Sequence, residues 1–179
     1  MIKSFLKVSL GIVFVVSAFA GCSSQIETRL AGFESLTFEQ SEQIKQSLIP
    51  LNIPLETWNY KRIRSTKPIA ASYRGALIIS DGLFSRLSTS SELSFILAHE
   101  FAHKKLNHDL QDKPPLKLEI EADKTALFML IKANLPPHSA IAALSRMLDA
   151  PSKTGATSPD LSIAQRIQSL LHLIPQTPR

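Results

Sequence analysis

Residues 89–106 read TSSELSFILAHEFAHKKL, and this stretch decides how the chain is read. Thr89-Ser90-Ser91-Glu92 fits a capping box, the threonine hydroxyl taking an early backbone N–H while the glutamate reaches back. Leu93, Ile96 and Leu97 then recur at helical spacing, which predicts a helix running to about Leu106. Inside it stand His99, Glu100 and His103. Residues four apart share a helix face, so both imidazoles can point at one ion. Glu100 lies one position round, where its carboxylate can reach a water held by that ion without itself occupying the metal, the geometry required of a general base. Leu97, Ala98, Phe101 and Ala102 surround the polar trio, so the segment otherwise reads as interior; buried His and Glu need partners, and a metal supplies them.

A hydrolytic zinc has three protein ligands and an open position. The single Cys excludes a thiolate cluster and any internal disulfide, so the third donor must be His or a carboxylate. Downstream, Glu119-Ile120-Glu121-Ala122-Asp123 belongs to a second predicted helix, Leu116 to Ala133. Glu119 and Asp123 share a face, whereas Glu121 lies roughly 200° round from Glu119. We assign Glu119 as metal ligand and Asp123 as the carboxylate that accepts a hydrogen bond from the distal nitrogen of a ligating His. Glu121 reads as an acidic residue stabilised by the helix dipole. His108 competes for the third-ligand role, but it falls five residues after His103 and Leu106 stands where the rival His-rich motif has Gly.

Upstream the pattern is mixed. Thr37 to Ile49 predicts a first helix with Phe38, Ile44 and Leu48 inward and Pro50 as its stop. Trp58–Arg64, Ile69–Tyr73 and Ala76–Ser80 read as about three strands in a hairpin or meander, with Gly75 between the last two. Beyond Asp123 come a helix over His138–Leu148, a Pro/Ser/Thr/Gly loop over Ala150–Asp160, and a last helix from about Leu161 to Leu173 with Ile163, Ile167, Leu170 and Leu171 inward. The fold class expected is α+β, one domain over residues 37–174 with a short tail at 175–179. Of the 179 residues 44% are apolar, which excludes disorder throughout, and 20 Lys and Arg exceed 15 Asp and Glu by only five. Lys61, Arg62, Arg64 and Lys67 therefore read as a solvated strand face rather than a nucleic-acid surface.

The amino terminus has the build of a secretory signal: Lys3 and Lys7, then an apolar run from Val8 to Ala20 too short to span about 30 Å of hydrocarbon. Phe19-Ala20-Gly21-Cys22 resembles a bacterial lipobox, which implies cleavage after residue 21 and acylation of Cys22. Residues 22–36 would then be a polar tether and the protein would sit on a membrane surface. By resemblance to bacterial lipoproteins, Ser23 after the cysteine favours the outer membrane, facing the periplasm.

Taken together, these residues resemble a gluzincin of the HtpX-like and CAAX-prenyl-protease group, peptidase family M48. Ala76–Leu83 resembles the family's strand and turn ahead of the active helix, Leu97–His103 with His108 its metal helix, and Glu119–Asp123 its ligand helix. Ser158-Pro159 with Gln165-Arg166-Ile167 resembles its late loop and final helix. The resemblance implies a zincin-like fold, with a small, mostly antiparallel sheet packed against the active-site helix. It implies one zinc per chain and endopeptidase activity on unfolded or extended polypeptide, in envelope quality control. An edge strand, Ile69–Tyr73 or Ala76–Ser80, would receive the substrate by β-augmentation. It also implies Arg166 as a catalytic group near the tetrahedral oxyanion. The 15 residues between His103 and Glu119 are fewer than the family often has, a spacing shared with repressor-cleaving gluzincins of the cytoplasm, whose location the export signal contradicts. Ser158 replaces the late-loop His of a zinc plug. The reading that competes from another class is a chaperone or binding lipoprotein using the same groove, which would have no use for Glu100.

Overall fold

The computed structural model describes residues 33–73, 75–108, 115–148 and 158–174. The signal, the lipobox with Cys22 and most of the tether lie outside these residues, as do 109–114 and most of the loop before the last helix. None of the described helices is long and apolar enough to cross a membrane.

Helix α1 (Phe38–Leu48) opens with a capping box in which Thr37 Oγ1 accepts from Gln40 N and Gln40 Oε1 accepts from Thr37 N. It buries Ile44 and Leu48, but Phe38 is 83% exposed. Six residues at about 100° each put Phe38 some 240° round from Ile44, off the inward stripe, which corrects its expected burial. Strands β1 (Asn59–Ile63), β2 (Ala70–Tyr73) and β3 (Ala76–Ser80) form one sheet in the order β1-β3-β2. β3 runs antiparallel to β2 and parallel to β1, so the sheet is mixed rather than a meander, and the expectation of a mostly antiparallel sheet is corrected. The tight turn at Gly75, whose φ of +80° an L side chain rarely adopts, makes the β2–β3 pair antiparallel as expected; the departure is that β1 pairs with β3, in parallel, and not with β2. The turn folds β3 back beside β2, and β3 then takes the place next to β1. As the central strand, β3 has Leu77–Ser80 buried and cannot be a receiving edge, whereas β2 lies at the sheet edge.

The helical pattern read from Asp81 onward begins with a separate short helix, α2 (Asp81–Arg86), with Ser80 Oγ accepting from Leu83 N. Asp81 takes Arg62 in a two-point pair, Nε to Oδ1 at 2.7 Å and Nη2 to Oδ2 at 3.0 Å. Arg62 also reaches Glu34 at 3.0 Å, as does Arg64 at 2.9 Å, so the basic cluster is in part an ion-pair network and not simply a solvated face.

Helix α3 (Ser90–Lys105) is the axis of the molecule. Its residues 92–100 are buried without a break, which a helix achieves only when neighbours surround it. Those neighbours are α1, α4 (Leu116–Lys132), α5 (His138–Met147) and the edge strand β2. Phe95, Ile96 and Leu97 each contribute about 1.5–3 kcal/mol by leaving water. The last helix, α6 (Ser158–Leu171), packs on α4 and α5. It starts three residues earlier than expected and buries Ile163 and Leu170, while Leu171 is 41% exposed.

Candidate metal centre

Two polar turns are carried into this apolar interior. On α3, His99 is 0%, Glu100 1% and His103 6% exposed. On the facing turn of α4, Glu119 and Asp123 are equally buried while Glu121 between them faces water. Their spacing of four explains this arrangement, since it stacks the two carboxylates on one face and turns Glu121 away.

The three assigned ligands converge. The Nε2 atoms of His99 and His103 are 3.0 Å apart, and Glu119 sets Oε2 at 3.5 Å from the first and Oε1 at 3.4 Å from the second. Ligands each about 2.0–2.2 Å from a tetrahedral zinc are separated by about 3.4 Å, so these gaps have the size of such an ion's coordination sphere. Among the described residues this is the one His/Cys/Asp/Glu group close enough to hold a metal. The donor chemistry agrees. Neither Glu119 oxygen makes a hydrogen bond despite complete burial, although Oε2 lies 2.8 Å from Arg166 Nη1. Formally three carboxylates, Glu100, Glu119 and Asp123, face one guanidinium here, an excess of negative charge that a divalent cation would cancel. In the metal-free protein the imidazole carries that burden. Burial alone would lower the pKa of His99, but the Asp123 and Glu119 carboxylates outweigh it and hold the imidazole up at about 9.

Behind the ligands stands a second layer. Asp123 Oδ1 lies 2.9 Å from His99 Nδ1, the nitrogen opposite the metal-facing one, where it fixes the tautomer. Arg166, from α6, grips the same aspartate through Nε to Oδ2 at 2.6 Å and Nη2 to Oδ1 at 2.7 Å. Burial alone would raise the pKa of Asp123, yet Arg166 and His99 hold the carboxyl below its usual range; Glu119 is likewise held well down by His103, His99 and Arg166. This corrects the expected role of Arg166. A stabiliser of a substrate oxyanion must face the open side of the site. Arg166 is 0% exposed and bridges Asp123 to Glu119 from behind, where it acts as a positioning residue.

Glu100 is held from the sheet. Ser80 N donates to Ile69 O at 3.0 Å, which sets the phase of the β2–β3 ladder. Alternate residues then pair with β3, and Ser72 turns its N–H outward, where it donates to Glu100 Oε2 at 2.9 Å. Trp58 Nε1 donates to the Ser72 hydroxyl at 3.1 Å and packs edge-on against Phe101, the residue following Glu100. No sequence signal marks Ser72, because it acts through its backbone.

His108 is not a ligand in this arrangement. Its Nδ1 lies 3.0 Å from the Nδ1 of His103, on the side of that ring away from Glu119. Burial and the neighbouring His103 push the His108 imidazole below its ordinary value. An apolar groove of about 510 Å³ between α1, α2 and the start of α3, lined by Phe38, Phe84 and Leu93, contains no imidazole and lies apart from this chemistry.

A small mixed sheet beside a helix with two convergent imidazoles, completed by a carboxylate from the next long helix, defines a metallopeptidase-like centre. The family model for peptidase family M48 matches residues 36–113, so this stretch is similar to that metallopeptidase family. The matched stretch runs from just before α1 to beyond the end of α3 and includes His99, Glu100 and His103; Glu119, Asp123 and Arg166 lie beyond it and are placed by the geometry above. Comparison with curated proteins returned no match.

Proposed function

We propose that this protein is a zinc-dependent endopeptidase, with one zinc per chain, that cleaves unfolded or extended polypeptides in bacterial envelope quality control. The observation that carries the reading is the convergence of His99, His103 and Glu119 beside a general base fastened to a strand edge. Zinc, when bound, supplies Lewis-acid polarisation and makes water acidic enough to attack near neutral pH. The remaining chemistry belongs to the chain. Glu100 removes a proton from the attacking water and returns it to the leaving amine. The β2 edge offers backbone groups to an extended substrate, and the apolar wall of α3 excludes water. Acylated Cys22 would hold the enzyme at the outer membrane, facing the periplasm, as the lipobox-like sequence suggests.

Glu100→Gln tests the chemistry. Hydrolysis of a denatured, labelled protein should fall by about 10²–10⁴-fold with zinc content unchanged. Turnover within tenfold of wild type overturns the base assignment and favours a chaperone or binding role. Intact mass of the protein extracted from membranes tests the anchor, since a chain that retains residues 1–21 is not a processed lipoprotein.

A further inference from the structure

His108 and Glu121 stand beside the metal ligands, yet neither binds the ion nor touches the reacting water in the scheme above. Five residues of continuous helix would carry His108 about 140° round from His103, so no shared face explains their contact. The end of α3 does. Asn107 adopts φ +51°, the left-handed conformation that terminates helices, and two backbone bonds close the turn. His108 N donates to His103 O at 3.0 Å and Asn107 N to Lys104 O at 3.3 Å, the paired pattern of a Schellman cap. The reversal lays the His108 ring across that of His103, centroids 5.0 Å apart and nearly perpendicular, with the two Nδ1 atoms at 3.0 Å. The side chain of His108 is only 7% exposed, and its Nε2 lies 3.5 Å from Glu121 Oε2 on the opposing helix.

We propose that His108, backed by Glu121, is the positioning residue for His103, a second outer support that matches the one Asp123 gives His99. The inference rests on the metal-centre reading, and the proton positions follow from it. A His103 that ligates through Nε2 must carry its proton on Nδ1. That N–H can donate to His108 only if His108 Nδ1 is bare, which places the His108 proton on Nε2, facing Glu121. Each metal imidazole thus leans on an acidic residue of α4, His99 directly and His103 through one intervening ring. The arrangement also accounts for the five-residue interval, because the left-handed Asn107 occupies the extra position.

Zinc affinity of the full chain, measured by competition with a chromogenic chelator, tests the relay without reference to turnover. His108→Ala should raise the zinc Kd about 10–100-fold, the usual cost of removing an outer partner. His108→Asn, whose side-chain oxygen falls near the lost Nδ1 and still accepts from His103, should recover most of that loss. Glu121→Gln should weaken binding about two- to fivefold in the wild-type background and not at all beside His108→Ala, since it acts through that ring. Metal-free melting temperatures of all variants should match the parent, which separates positioning from folding. An unchanged Kd in His108→Ala, or a Glu121→Gln effect that persists without His108, overturns the relay alone. Wild-type protein that binds no zinc overturns the metal centre and the relay with it.

Discussion

Replacing Arg166 by Met is the most searching perturbation of this fold. The guanidinium is fully buried and makes three contacts of 2.6, 2.7 and 2.8 Å with two carboxylates that are themselves no more than 1% exposed. Methionine fills much of the volume but removes the guanidinium, leaving Asp123 and Glu119 with only the His99 imidazolium as counter-charge. Removing one partner from a buried pair costs about 3–5 kcal/mol, against a total stability of about 5–15 kcal/mol for a domain of this size. At about 3 °C per kcal/mol, the metal-free protein should melt roughly 10–15 °C lower. Urea unfolding followed through the lone tryptophan, Trp58, which is 4% exposed, reads the change directly. Arg64→Met is the control. That side chain pairs with Glu34 at 2.9 Å but is 70% exposed, and pairs of this kind contribute about 0–1 kcal/mol. If the two substitutions shift the urea midpoint equally, charge compensation behind the metal ligands is refuted.

Two further outcomes follow from the geometry. In the metal-free protein His99 sits at about 9, above its unfolded value near 6.5, so its stabilising contribution is complete below about 6.5 and is lost as pH rises through about 9. Zinc must displace that proton: calorimetry in buffers of different ionisation enthalpy should find about one proton released from His99 per zinc at pH 7.5, declining above pH 9, and no release at pH 7.5 would contradict the charge balance drawn here. Gly82→Ala should destabilise by about 1–3 kcal/mol, because the added methyl would lie 2.4 Å from the backbone oxygen of Thr66; an unchanged urea midpoint would show that this loop yields freely.

Helix α3, its ligands and the α4 carboxylate pair are legible in the sequence, because a helix converts spacing into direction with little help from context. His99 and His103, or Glu119 and Asp123, share a face whatever surrounds them. The sheet is less so. Three β-rich runs announce strands, yet strand order depends on which edges meet, and nothing local to Trp58–Arg64 specifies that it pairs with β3 rather than β2. Arg166 shows the same limit from the other side. Its position on the last helix is apparent, but the identity of the charges it meets depends on how α6 docks on α4, a long-range matter. His108 escapes the spacing rule for a local reason: the left-handed Asn107 breaks the helical count, and Asn is only one of several residues that stop a helix.

The bond from Ser72 N to Glu100 has a consequence for timing. One amide proton cannot serve two acceptors at full strength. On the proposed function, a polypeptide that lay along β2 and took that N–H for its own carbonyl would loosen the glutamate, so arrival of cargo and release of the base would be a single event. The tether would then resemble a safety catch that the correct shape of guest lifts by occupying it.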